Sequence, residues 1–209
     1  MEDKFDILSI YPGIYSAEQS RCKLVNVPAL RAISINGEGE REGPRFKDSL
    51  AALYAVVYAL KALPGKEYIP DDFVNFNVSY LECLWSMKNG ANYSPKYPDQ
   101  LQWELFVVVP GFVTQKLINI VSLEISKKSL NERVSDVHIN ALQEKKSAQT
   151  LHLGSYETID RDYEKLQKYI KRTGYKPSTR YHEIYLNDPL KISKSHLKTI
   201  LRQPVVKVG

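Results

Sequence analysis

Glu183 lies in the run Arg180–Pro189, RYHEIYLNDP, with Tyr181 two residues before it and Tyr185 two residues after it. If the run is a strand, Tyr181, Glu183 and Tyr185 project from one face, and His182, Ile184 and Leu186 from the other. A carboxylate between two phenol rings suits a pocket for a flat, electron-poor or cationic ligand better than a solid core. Burial among rings strips water from such an acid and makes it a better proton acceptor, as a general base requires. A second acid, Glu82, sits in SYLECLWSM close to Trp85. Trp85, Trp103 and Phe112, with Tyr181 and Tyr185, are the rings that can line a ligand site, each well-placed pair adding about 0.5–1.5 kcal/mol beyond area burial. Tyr156, at the end of LHLGSY, can donate a hydrogen bond to a developing negative charge.

Other chemistries find less support. His138, His152, His182 and His196 lack zinc-ligand spacing and read as structural, so no metal is expected. Cys22 and Cys83 form no CxxC pair, which points to no disulfide framework and to a reducing compartment, the cytoplasm. Cys83 has no basic neighbour to activate its thiol. The glycines of GEGEREGP, residues 37–44, do not match a phosphate loop, and its glutamates would repel phosphate. The chain has 209 residues with 29 basic and 24 acidic side chains, and the net charge of +5 is spread rather than clustered, so direct nucleic-acid binding is not expected. The first residues, MEDKFDILSIYPGIYS, carry acids where a secretion signal is basic, and no apolar run approaches a membrane span.

The elements that must position these residues follow from periodicity. Residues 1–22 read as an N-terminal leader with a turn at Tyr11-Pro12-Gly13, and 23–209 as one domain. Lys23–Val27 and Leu30–Asn36 both alternate in the β manner about Pro28, and one bent strand or two short ones fit equally well. Phe46–Leu63 reads as a helix, through Leu50, Leu53, Val57 and Leu60, ended by Pro64-Gly65. Phe73–Trp85 and Leu101–Val109 read as strands, joined by the turn-rich Met87–Pro98. Phe112–Lys128 is a second helix; Arg133–Leu142 and Ala148–Gly154 are strands about a polar turn; Thr158–Arg172 is a third helix stopped by Gly174. Tyr181–Asn187 and Lys198–Val206 close the chain as strands, the last interrupted by Pro204 after the polar segment Pro189–Lys194. The halves, about 23–110 and 130–209, repeat the order extended segment, helix, strand, connection, strand. The expected fold is α+β: a tandem pseudo-twofold pair of βαββ units with antiparallel sheets, helices outside and a central groove. Glu82 and Glu183 should then lie across the seam from each other.

The segments EGPRF, SYLECLWSM, WELFVVVPGFVT, LHLGSYETID, RYHEIYLNDPLKI and LKTILRQPV, in that order from about Lys23 to Val206, resemble the GyrI-like small-molecule-binding family. That resemblance implies the same tandem βαββ fold. Some members are effector domains behind a DNA-binding helix-turn-helix and bind lipophilic cations, the glutamate of the HEIYL strand meeting the charge. Others stand alone, and some of these are similar to hydrolases that open the cyclopropane of DNA-alkylating natural products. The short stretch before Lys23 implies the stand-alone form. The resemblance implies Glu183 as base, with Glu82 sharing that role and Tyr156 or Tyr185 as donor. It implies no cofactor, an aromatic or cationic lipophilic ligand, and contact with DNA gyrase as another role. Here the family's LEGLWW reads LECLWS, so Cys83 replaces a glycine and Ser86 an aromatic residue.

Overall fold

Alternating apolar residues in both halves join one antiparallel sheet, whose order is β1-β6-β9-β8-β3-β4-β2-β5. Its strands are β1 Lys23–Val27, β2 Leu30–Glu38, β3 Leu81–Met87, β4 Leu101–Val108, β5 His138–Leu142, β6 Lys145–Leu153, β8 Tyr181–Tyr185 and β9 Lys198–Lys207, with the short β7, Tyr175–Pro177, paired to β9. The computed structural model describes residues 4–208 except 95, 129, 179, 189 and 190. Pro189, which ends the RYHEIYLNDP run and opens the expected polar segment, and the first three leader residues therefore lie outside the described residues.

The two βαββ units meet edge to edge where β3 pairs with β8, so the expected pseudo-twofold is present and the sheet is continuous across the seam. The first unit is β2, the helix α2 (Pro44–Lys61), β3 and β4; the second is β6, the helix α4 (Ile159–Arg172), β8 and β9; β1 and β5 precede them and each pairs with the other unit, on β6 and β2. A third helix, α3 (Gln115–Ser126), links them. Phe46, Leu53, Val56, Val57 and Leu60 bury one side of α2 on the sheet, and Ile159, Leu166 and Ile170 do the same for α4. Each helix thus hides an apolar stripe and leaves a polar one in water.

The leader covers the opposite face. Asp6 accepts from the N–H of Leu8 at 3.1 Å and caps a one-turn helix, α1 (Ile7–Ile10). Beyond the expected turn, Ile14 and Tyr15 are buried with Ala32, Leu84, Phe106, Ile184 and Ile200. The sheet is therefore covered on both faces, which explains why β4 and β8 are buried nearly throughout.

Several boundaries differ from the periodic reading: α3 starts at Gln115 rather than Phe112, β6 starts at Lys145 inside the expected polar turn, β8 ends at Tyr185 rather than Asn187, and three further cases have a visible cause. The expected strand Phe73–Trp85 joins the sheet only from Leu81, because residues 75 and 77 bond instead to the backbone of Phe5. Arg133 is not in a strand: Glu132–Asp136 winds a 3-10 turn capped by Asn131, and β5 starts at His138. Pro204 does not interrupt β9; its carbonyl accepts the N–H of Ser178 at 2.9 Å while the strand continues past it.

Candidate functional site

Strand pairing places Glu183 beside Cys83 at the centre of the sheet, on the face carrying the helices. On that face β8 presents Tyr181, Glu183 and Tyr185, while β3 presents Leu81, Cys83 and Trp85. Glu183 is fully buried. One oxygen accepts the Tyr185 hydroxyl at 2.9 Å, and the other accepts the Arg41 guanidinium at 2.5 Å. Burial first, then the charge of Glu183, pushes the Tyr185 and Tyr181 phenols far above their ordinary range, so both stay protonated and able to donate. Burial and Glu183 act alike on the Cys83 thiol, which remains a thiol rather than a nucleophilic thiolate.

Arg41 is the residue that sequence reasoning missed. It belongs to the GEGEREGP loop between β2 and α2, where Gly39 has φ 98° and Glu42 φ 64°, a path that brings the side chain of Arg41 back over the sheet. Its guanidinium lies 4.6 Å from the Tyr156 ring centre and 5.1 Å from that of Trp85. Burial works against the charge of Arg41, but Glu183 outweighs it and raises the pKa, so the guanidinium stays protonated. The signal available was a lone cation between two loop glutamates, Glu40 and Glu42, directly before a helix.

The other expected site residues divide in two. Tyr156, in a 3-10 turn before α4, meets Tyr185 edge-on at 5.8 Å and closes the box around Arg41. Trp85 stacks on Phe46 at 6.0 Å and 8°, forming one wall. Trp103 sits behind that wall, its indole directly over Gly37, where an added Cβ would come within 2.2 Å of the ring. Phe112 is not with these rings; it packs on Phe73 and Phe76 in the core, at 5.0 and 6.1 Å.

Glu82 requires a correction, because it does not share a cavity with Glu183. It pairs with Ile184, so its side chain emerges on the leader-covered face. There it accepts the Tyr15 hydroxyl at 2.9 Å and lies 2.9 Å from Nε2 of His182, whose Nδ1 is 3.0 Å from Glu144. Arg202 reaches Glu144 at 3.4 Å. This is a buried structural network of two acids and two bases.

An open groove of about 630 Å³ runs under α2, lined by Leu50, Tyr54, Tyr58, Tyr80, Leu81 and Tyr185 among others. Its inner end shares Leu50, Leu81 and Tyr185 with a cavity of about 20 Å³ against Arg41, Phe46 and Tyr156. Under α4, the related space is filled by Tyr93, stacked on Tyr181 at 4.5 Å and edge-on to Tyr163 at 5.3 Å. The groove is therefore one-sided and leads toward the Arg41–Glu183 pair. Among the described residues no cluster of histidine, cysteine and carboxylate side chains could hold a metal, and no helix is long and apolar enough to cross a membrane.

Frame and site together define a class: a tandem βαββ sheet with a buried carboxylate at its centre and an apolar groove beside it. No family model and no curated protein matches the chain. Solved structures do. The chain is similar to a conserved protein from Listeria innocua, at 25% identity and TM-score 0.87, over 97% of this chain and 100% of that one. It is also similar to a hydrolase from Listeria innocua, at 24% identity and TM-score 0.85, over 97% and 100% of the two chains. The EcmrR C-terminal domain shares the fold at 12% identity and TM-score 0.56, over 90% of this chain and 98% of that domain.

Proposed function

We propose that this chain is a GyrI-like protein that takes an aromatic, lipophilic small molecule into the groove under α2. We propose further that it hydrolyses a strained electrophile there, opening a cyclopropane with water as a detoxification. One observation carries the reading: a fully buried carboxylate, Glu183, bonded to Tyr185 and Arg41, both of which line the small cavity that adjoins the groove under α2. The hydrolase from Listeria innocua contributes the frame to this reading; the chemistry is argued from the residues.

In the proposed step the water oxygen bonds to a cyclopropane carbon and the carbon–carbon bond breaks. Its electron pair flows into the conjugated ring system, and Glu183 takes the water proton. Each carboxylate oxygen has one partner, which leaves a lone pair for that proton. Tyr156, kept protonated by burial and the charge of Glu183, is the phenol left to donate to the developing negative charge, because the Tyr185 proton is already given to Glu183. The proton held by Glu183 then passes to the ring-opened product, so that one water is added in all.

The ion pair with Arg41 favours a second reading, binding without turnover, because it competes for the base. Both are tested by mixing the protein with a cyclopropane-containing indole compound and following ultraviolet absorbance. Hydrolysis gives many turnovers per chain, and sequestration gives a change that stops at one equivalent. Glu183→Gln should abolish turnover while retaining a neutral aromatic ligand; an unchanged rate would remove Glu183 from the mechanism.

A further inference from the structure

The groove under α2 adjoins a small cavity lined by Arg41, whose guanidinium is paired with the buried Glu183. We propose that Arg41 is the specificity-determining residue of the groove. By placing its own cation beside Glu183 it selects neutral aromatic ligands that carry a hydrogen-bond acceptor and rejects permanently cationic ones. This rests on the groove reading above and names its ligand class.

Four observations converge. The Arg41 guanidinium already meets Glu183 at 2.5 Å, and the Glu183 side chain has no exposure, so a cationic ligand finds that carboxylate neutralised. The same guanidinium occupies the faces of Trp85 and Tyr156, the surfaces on which an aromatic box holds a cation. The hydrogen-bonding capacity left over is of the opposite kind. Among the described residues, the Nε–H of Arg41, which lines the small cavity, and the indole N–H of Trp85, over which the guanidinium sits, are buried without a hydrogen-bond partner. Both are donors only, and buried donors are satisfied by an acceptor oxygen, not by a cation. Finally, the cavity beside Arg41 holds only about 20 Å³ while the adjoining groove holds about 630 Å³. The body of a ligand therefore lies under α2, and only a small group such as a carbonyl oxygen reaches the guanidinium. For the ring opening above, an oxygen held there is also where the electron pair of the broken bond arrives, and Arg41 stabilises it as a fixed positive charge without giving up a proton.

The test uses two probes of nearly the same shape that differ in charge, triphenylphosphine oxide and methyltriphenylphosphonium, titrated calorimetrically into the full chain. The wild type should bind the oxide about tenfold or more tightly than the phosphonium, the scale that like-charge repulsion at a desolvated contact sets. Arg41→Met should reverse that order by exposing Glu183 to the cation. If Arg41→Met fails to fold because Glu183 is left unpaired, Arg41→Met combined with Glu183→Gln removes both charges; there the oxide preference should disappear. Binding of both probes with a preference that neither variant moves overturns the assignment of Arg41 alone. Absence of binding in every form overturns it together with the groove reading.

Discussion

Replacing His182 by glutamine should cost the protein a large part of its stability without touching the groove. His182 is buried on the leader-covered face, with Nε2 2.9 Å from Glu82 and Nδ1 3.0 Å from Glu144. Burial alone would lower its pKa, but Glu144 first and then Glu82 outweigh it, and the net shift is upward. Glutamine is neutral and has a single amide to offer, so Glu82 keeps only the Tyr15 hydroxyl at 2.9 Å. Removing one partner of a buried ion pair costs about 3–5 kcal/mol, because the remaining charge stays desolvated. Against a total stability of about 5–15 kcal/mol this is a fifth or more. For a chain of this length it corresponds to a fall in melting temperature on the order of 10 °C.

The pH dependence separates this account from a simple packing defect. A group whose folded pKa is raised contributes fully below its unfolded value, about 6.5 for histidine, and its contribution fades as pH climbs through the raised value. Glu144 behaves oppositely: burial would raise it, but His182 and Arg202 hold it down to about 2, so its contribution is present above the ordinary 4.5 and is lost as pH falls from there toward 2. Wild-type stability, measured by urea melts at a series of pH values, should therefore crest between these limits and fall on both sides. His182→Gln should abolish the alkaline decline, and adding Glu82→Gln should restore most of the lost stability, since it removes the stranded charge. A loss under about 1 kcal/mol with an unaltered pH profile would refute the reasoning.

Further changes probe the groove and its walls. Ala51→Trp, at a position on the groove-lining side of α2, should weaken aromatic ligands by about tenfold or more while moving stability by no more than about 0.5 kcal/mol, as calorimetry and thermal melts would show. Gly37→Ala should destabilise by about 1–3 kcal/mol and shift tryptophan emission, because the new methyl would stand 2.2 Å from the Trp103 ring. Tyr185→Phe leaves one oxygen of Glu183 without its donor and should cost about 1–3 kcal/mol in thermal melts, with a parallel loss of turnover. Tyr93→Ala should open the space under α4 and add a second, weaker binding event in calorimetry, since Tyr93 fills the place that stays open under α2.

Periodicity located every major helix, each of which buries one face, while the central strand β4, buried on both faces, shows in the sequence as a nearly continuous apolar run. It also made His182 face away from Glu183, as the structure shows. The leader's course was not legible: its contacts, Ile14 and Tyr15 against the back of the sheet, come from residues far away in the chain. Arg41 was hidden for a related reason. A loop arginine reads as solvated, and only loop geometry together with the register of β8 shows that it reaches a carboxylate 142 positions later. Leu50, read as part of the buried stripe of α2, is half-buried at the groove instead; the helical period gives the face but not where the sheet beneath it ends.

The pairing of Glu82 with Glu183 failed for a reason that also explains why the site is single. β1 and β5 correspond residue for residue, as do β2 and β6, and a twofold axis normal to a sheet carries each side chain to the same face. One row of cross-strand neighbours runs Ile35, Leu105, Cys83, Glu183, Leu201, Thr150, and under that axis it maps onto itself. The counterpart of Glu183 is therefore Cys83, and matching glutamate to glutamate shifts the repeat by one residue, which turns the side chain over. With a thiol on the axis opposite it, Glu183 stands as one acid on the helix face, where a single cation, Arg41, balances it. Glu82 on the other face has His182 as its neighbour across the same two strands and joins a charge-balanced network. The repeat builds one frame twice, and the unequal pair on its axis confines the chemistry to one half.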